Sequence, residues 1–114
     1  TLFRSKELNF WVIQTKDELK QVGVITIIKK PYLDYPDIGF AMLPEFYKRG
    51  FGFEGASIML NYYFSDFNFM KISATTLKHN VRSIGLLTKL GFEFDKEIIH
   101  EGQTMNVYSK NNGS

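Results

Sequence analysis

Several residue types are scarce in this chain, and each scarcity excludes a class of function. The absence of cysteine excludes disulfides, thiolate metal sites and a cysteine nucleophile. Two histidines, His79 and His100, are too few to predict a zinc site. Fourteen basic residues against twelve acidic ones give a net charge of +2, which predicts binding to neither nucleic acid nor a membrane surface. No apolar run approaches the roughly 20 residues of a membrane-spanning helix, and the first ten residues do not have the layout of a signal peptide.

Aromatic residues, in contrast, are abundant. The chain has 11 Phe, 6 Tyr and 1 Trp among 114 residues, and 44% of its residues are hydrophobic. A composition of this kind can build a packed core and is not that of a disordered segment. We therefore expect a cytoplasmic protein in which residues 1–114 form one domain.

The pattern of apolar and turn-forming residues predicts eight elements in the order β-β-β-α-β-α-β-β. The predicted strands cover residues 9–15, 21–28, 37–43, 70–75, 92–99 and 103–108, and the predicted helices cover about 50–65 and 81–90. Helices after the third and fourth strands are typical of α/β crossovers. The predicted fold class is therefore α/β (α+β), with a mixed and strongly twisted sheet.

The stretch LPEFYKRGFGFEGA, residues 43–56, carries the clearest chemical pattern. A strand ends at a proline, a short loop follows, and Gly50 and Gly52 open a helix. The first N–H groups of a helix have no internal partners and carry partial positive charge, so they bind phosphate well. Lys48 and Arg49 add charge beside them. The alternative is a tight turn in which the glycines serve only backbone conformation.

Two motifs at the right separation extend this pattern. DIGFAMLPEFYKRGFGFEGA (37–56) is followed by HNVRSIGLLTKLGF (79–92). These segments resemble the GNAT N-acetyltransferases, and most of all the branch of the RimJ/RimL ribosomal-protein N-acetyltransferases. There a strand reads roughly EIGYxLxPE, the next loop and helix read GxGYATEA, and N-x-x-S-x-x-x-x-x-K-x-G-F comes later. The resemblance covers residues 21–94.

The resemblance implies that the chain binds acetyl-CoA as cosubstrate, without a metal. The backbone at Lys48, Arg49, Gly50, Phe51, Gly52 and Phe53 would hold the pyrophosphate. Ala41, Met42 and Leu43 would pair with the pantetheine arm, next to a bulge that splays two strands. Asn80 and Ser83 would lie near the pantetheine and the sulfur. Asn80 is an equally good helix cap, and Ser83 is also suited to close helix packing.

Transfer of acetyl from a thioester to an amine needs a base, an oxyanion donor and an acid for the departing thiolate. By resemblance, Asp37 is the candidate base, although a solvent-exposed carboxylate at a strand edge is the alternative. A backbone N–H near Met42 or Leu43 is the candidate oxyanion donor. Ser83 is the candidate acid, because Leu87 stands where many relatives carry tyrosine. Tyr108 and His100 are weaker candidates.

The family carries a first strand and two helices before the hairpin, and the sequence predicts that this chain lacks them. We expect the acceptor pocket to be incomplete and the lost cover to expose apolar surface on the strand at 9–15 and beneath it. Three functions stay open: an enzyme acetylating a primary amine (a protein N-terminus or a small amine), a CoA-binding module without turnover, and an interaction protein that pairs its sheet edge with a partner or a second copy as a homodimer.

Overall fold

A computed structural model describes residues 2–4, 10–46 and 50–113, with only the backbone for 2–4. Within these residues the strands are β1 (Leu2–Arg4), β2 (Phe10–Gln14), β3 (Gln21–Ile28), β4 (Asp37–Met42), β5 (Lys71–Leu77), β6 (Glu93–His100) and β7 (Gln103–Asn111). The helices are α1 (Phe51–Ser65) and α2 (Val81–Lys89), and a short 3₁₀ turn covers Pro44–Phe46. Neither α1 nor α2 is long and apolar enough to span a bilayer.

The strands form one mixed sheet in the order β1-β2-β3-β4-β5-β7-β6. Strands β4 and β5 pair in parallel, and the other neighbours pair antiparallel. The connections β4-α1-β5 and β5-α2-β6 both join parallel strands and both advance in the same direction across the sheet. Right-handed crossovers therefore place α1 and α2 on the same face. The predicted fold class and the mixed sheet are confirmed.

The main core lies between this helix face and the sheet. Gly55 of α1 lies against the side chains of Ile13 and Ile25, where an added Cβ would stand 3.1 Å from each of their Cδ1 atoms. The core cluster continues through Met59 of α1 and Leu87 of α2. One hydrophobic cluster thus ties both helices to β2 and β3 and fixes the start of α1 relative to the sheet.

The prediction that the strand at 9–15 exposes apolar surface is wrong for its described residues, 10–15, none of which is fully exposed. β1 pairs with β2 from Leu2–Ile13 to Arg4–Trp11, so the backbone groups on that side of β2 have a neighbouring strand. The side chains of β2 are half-buried or buried. A three-residue segment is too short to show the alternation by which strands are found in a sequence, although it satisfies backbone groups as a longer strand would.

Candidate functional site

A cleft opens in the middle of the sheet, where β4 and β5 separate. The two strands share a single register pair, Asp37 with Ser73, and the N–H of Ser73 donates to the carbonyl of Pro36 at 2.8 Å. Beyond that pair the strands diverge. The register of β4 on β3 is continuous over six pairs, so the splay occurs without the bulge predicted for it.

The cleft measures about 510 Å³, within the usual range for a small-molecule site. One wall is β4, the other is β5, and the first turns of α2 cover the space between them. The residues that give the cleft its chemical character are Phe40, Met42, Thr75, Asn80, Ser83 and Leu87.

The hydrogen-bond phase of β4 decides which backbone groups face this cleft. The N–H of Leu43 donates to the carbonyl of Val22 at 2.9 Å. Backbone direction alternates along an antiparallel pair, so the groups of Ala41 also point toward β3, and those of Phe40 and Met42 point toward the cleft. The bond to Val22 excludes Leu43 as the oxyanion donor and leaves Met42. Phe40 was missed because the phase of a strand cannot be read from its sequence.

The start of α1 lies near the cleft, because Leu86, which lines the cleft, faces Gly52. Gly50 is the N-cap residue, with a left-handed φ of 81°, and no side-chain cap is described there. The first helical bond runs from the N–H of Glu54 to the carbonyl of Gly50 at 2.9 Å. The N–H groups of Gly52 and Phe53 therefore precede the hydrogen-bond ladder, in the part of a helix that attracts anions. Lys48 and Arg49, predicted beside them, lie outside the described residues.

The two glycines of this turn differ in what they require. Gly50 needs its left-handed backbone, which residues with a Cβ rarely adopt. Gly52 has an ordinary helical backbone, and a Cβ there would meet only the Cδ2 of Leu86, at an ordinary 3.5 Å. Neither conformation nor packing among the described residues requires glycine at 52. The alternative, in which the glycines serve only backbone conformation, therefore explains Gly50 but does not explain why residue 52 is glycine.

Lys89 of α2 brings positive charge to the same turn. Its Nζ lies 5.0 Å from the centre of the Phe53 ring, within cation–π range. Leu86, one turn earlier on α2, faces Gly52. Lys89 had no predicted role, although it is the lysine of the second motif.

The first turn of α2 borders the cleft. The side-chain oxygen of Asn80 accepts a hydrogen bond from the N–H of Ser83 at 3.2 Å, so Asn80 is a helix cap, and both residues also line the cleft. Leu87 lies one turn further along the same wall and is 1% exposed. At this position the wall offers hydrocarbon and no hydroxyl.

Asp37 lies at the vertex, where β4 and β5 pair. It is 4% exposed, which excludes the alternative of a carboxylate in solvent. Its Oδ2 lies 2.8 Å from the Nζ of Lys30, and its Oδ1 accepts a hydrogen bond from Thr75 at 3.0 Å. Asp37 itself is not on the cleft surface, but Thr75 is. One side chain thus separates the carboxylate from the cleft, and the structure does not bring Asp37 and Ser83 into contact.

Burial and pairing act against each other in this ion pair. Burial raises the pKa of Asp37, against the opposing effect of Lys30 and Thr75. For Lys30, burial lowers the pKa, but the hydrogen bond and charge of Asp37 outweigh it and the pKa is raised. The first shift favours a neutral carboxyl and the second a charged pair. An ammonium that keeps its proton at 2.8 Å favours the charged carboxylate near neutral pH.

The weaker candidates lie apart from the cleft surface. His100 stacks on Tyr32 with ring centres 3.9 Å apart, and Tyr108 packs edge-on against Phe94. Among the residues that the structure describes, no three His, Asp or Glu side chains lie close enough together to hold a metal ion.

Known proteins resemble this chain in both sequence and structure. Residues 2–93 match the model of the acetyltransferase (GNAT) domain. The chain is 28% identical over 117 aligned positions to an uncharacterized N-acetyltransferase, YoaA, of Bacillus subtilis (strain 168), covering 95% of this chain and 65% of that protein. It therefore spans a little under two thirds of this curated relative.

Two solved structures show the same fold. An acetyltransferase (GNAT family) from Bacillus anthracis superposes with a TM-score of 0.82 at 21% identity, covering 93% of this chain and 68% of the other. The ribosomal-protein-S5-alanine acetyltransferase from Vibrio fischeri gives 0.80 at 20% identity, covering 92% of this chain and 62% of the other. Identities this low establish the shared fold, and substrates do not follow from it.

Proposed function

Since residues 2–93 match its domain model, this chain belongs to the GNAT acetyltransferase family, and we propose that it transfers acetyl from acetyl-CoA to a primary amine. The observation that carries the proposal is the cleft between β4 and β5, whose lining residue Leu86 also faces Gly52 at the uncapped start of α1. The predicted family is confirmed, and the RimJ/RimL-like branch stays a prediction.

Different residues of the chain would bind different parts of acetyl-CoA. The N–H groups of Gly52 and Phe53, with Lys89 beside them, would hold phosphate. The backbone of Phe40 and Met42 would hydrogen-bond the pantetheine amides as a neighbouring strand does, across the gap that β5 leaves. Acetyl-CoA supplies a thioester that an amine attacks directly, so no enzyme nucleophile is needed.

Proton transfer would use side chains and a backbone N–H around the vertex and walls of the cleft. Asp37 remains the candidate base, and its place behind Thr75 means that it would act on an amine that comes past Thr75 or through a bridging water. The N–H of Met42 is the candidate oxyanion donor. Ser83, half-buried on the cleft wall, is the candidate acid.

Leu87 favours a second candidate function, binding of CoA without turnover. Many relatives carry a tyrosine at this position as the acid, and here the side chain is buried hydrocarbon. If Ser83 does not replace that hydroxyl, the thiolate has no acid on the α2 wall and the domain would hold acetyl-CoA without passing the acetyl group on.

Two measurements test the proposal. Calorimetric titration with acetyl-CoA reports binding, and thiol release in the presence of a panel of amines reports transfer. The panel contains peptides with free N-termini, as the name of the Vibrio fischeri protein suggests, together with amino sugars and polyamines. Binding with thiol release supports the enzyme, and binding without release for any amine supports the module. Gly52→Arg, which fills the turn, is expected to abolish binding in a folded protein, and unchanged affinity would contradict the assignment.

A further inference from the structure

Three hydroxyl side chains line the cleft among the residues that the structure describes, those of Thr75, Thr76 and Ser83. The hydroxyl of Thr76 donates to the carbonyl of Leu77 at 3.4 Å. The hydroxyl of Thr75 donates instead to the Oδ1 of Asp37 at 3.0 Å. Of these three hydroxyls, that of Thr75 therefore joins the cleft to a carboxylate.

The strand geometry explains why Thr75 reaches Asp37. Asp37 pairs with Ser73, so their side chains lie on the same face of the sheet, and Thr75, two residues further along β5, lies on that face as well. Because β4 and β5 diverge beyond this pair, the side chain of Thr75 borders the widening gap. Branching at Cβ restricts the rotamers of a threonine, which helps to keep this hydroxyl on the carboxylate.

The other contacts of Asp37 leave Thr75 as its link to the cleft. The Oδ2 of Asp37 lies 2.8 Å from the Nζ of Lys30, and the backbone N–H of Thr75 adds a further hydrogen bond to the carboxylate. Asp37 is 4% exposed and does not line the cleft, so an amine bound there does not meet its oxygens directly. The Thr75 hydroxyl lies between the two, and a hydroxyl can accept one proton while it donates another.

We propose that the hydroxyl of Thr75 relays the amine proton to Asp37, an inference that rests on the proposed function. A neutral amine attacks the thioester carbon, a C–N bond forms, and an N–H proton of the amine moves to the oxygen of Thr75. The hydroxyl proton of Thr75 moves to the Oδ1 of Asp37 in the same step. The C–S bond breaks, the thiolate leaves with the proton of Ser83, and solvent carries the proton of Asp37 back to Ser83. The products are the N-acetylated amine and CoA thiol.

Two substitutions at residue 75 separate the hydroxyl from the shape of the side chain. Thr75→Val keeps the branched shape and removes the hydroxyl, whereas Thr75→Ser keeps the hydroxyl and removes the methyl group. Because general-base catalysis contributes about 100-fold or more, kcat should fall about 100-fold in the valine variant, and the serine variant should retain most of the parent rate. Calorimetric affinity for acetyl-CoA should be the same in both, because the backbone of β4 and the start of α1 would bind it.

The pH dependence of the rate distinguishes a relay from a hydroxyl that only holds Asp37 in place. The hydrogen bond from Thr75 lowers the pKa of Asp37, so its loss should raise that pKa further. A hydroxyl with only a positioning role predicts that the valine variant reaches the parent's plateau rate at a higher pH. A relay predicts that the plateau itself falls and that raising the pH does not restore it. Thiol release is measured against pH with an amine of the panel that the parent acetylates.

The outcomes separate this inference from the proposed function. Urea unfolding first checks that each variant is folded, and Thr75→Ala replaces the valine variant if valine does not fold. A plateau at least about tenfold lower without the hydroxyl, and restored by serine, supports the relay. A smaller loss, or an equal loss in the serine variant, overturns the relay and keeps the proposed function, because the parent still acetylates the amine. A parent that acetylates no amine of the panel overturns both.

Discussion

Replacing Gly52 with alanine should make the domain more stable and a weaker binder of acetyl-CoA. Alanine is favoured over glycine in helices by about 0.5–1 kcal/mol, and the lower value applies here because Gly52 lies in the first turn. The new Cβ meets Leu86 at 3.5 Å, an ordinary contact, so packing does not oppose the gain. The free energy of unfolding should rise by about 0.5 kcal/mol, which raises Tm by about 2–3 °C in a domain of this size.

The effect on binding has the opposite sign. If the N–H of Gly52 approaches a phosphate oxygen, a methyl group at this position interferes with that approach. We expect affinity for acetyl-CoA to fall about tenfold, a loss of about 1.4 kcal/mol. Urea unfolding gives the stability change and calorimetric titration gives the affinity.

The chain offers a matched control in Gly85→Ala. Gly85 lies within α2, it is exposed, and an added Cβ there would meet nothing within 4 Å. Stability should rise by about 1 kcal/mol, with affinity unchanged. If Gly52→Ala binds acetyl-CoA as tightly as the parent, the inference that residue 52 is glycine because a ligand approaches its backbone is refuted. A loss of stability would instead refute the reasoning about packing.

Three further predictions address separate parts of the site. Asp37→Asn should lower the rate of amine acetylation at neutral pH and leave acetyl-CoA affinity unchanged. Because the pKa of Asp37 is raised in the folded state, the parent should lose stability relative to this variant as pH rises from the ordinary 3.8 through the raised value. Urea titrations in which the parent instead gains stability over this pH range would contradict the prediction. Lys89→Met should weaken the binding of acetyl-CoA in calorimetry but not that of S-acetyl-pantetheine, which lacks the nucleotide phosphates. Equal losses of affinity for the two ligands would contradict a contact between Lys89 and those phosphates. Asn80→Ala should cost about 1 kcal/mol of unfolding free energy by chemical denaturation, whereas Asn80→Ser keeps the cap, so weaker binding of acetyl-CoA by the serine variant would report a direct ligand contact.

Local patterns predicted most of the elements. The strand at residues 21–28 has the predicted bounds because Val, Ile and Thr run between a polar turn and a Lys-Lys-Pro loop. Asn80 was predicted to cap the second helix and does so, and Gly91 follows that helix with a φ of 93°. The strand at 103–108 continues to Asn111, because β5 offers partners for its polar end as far as Lys71. Pairing by a neighbour extends a strand beyond its own propensity.

The site was less predictable where it depends on long-range contacts. Asp37 and Gly52 occupy motif positions and were named as site residues from the sequence, and their roles stay predictions. Lys30 meets Asp37 only because β3 and β4 place the loop between them over the vertex. Lys89 meets Phe53 only because two separate helices pack on one face. Neither partner is marked in the sequence, since lysines near a proline or at a helix end are commonly solvated.

The single pair that joins β4 to β5 has a mechanical consequence. On one side of it lie four strands, and on the other side lie three, so the sheet consists of two leaves hinged at Asp37 and Ser73. A ligand arm bonded to Phe40 and Met42 would fill the gap and act as a strut between the leaves. Occupancy should therefore stiffen the whole sheet, and amide hydrogen exchange should slow even in β6, none of whose residues lines the cleft.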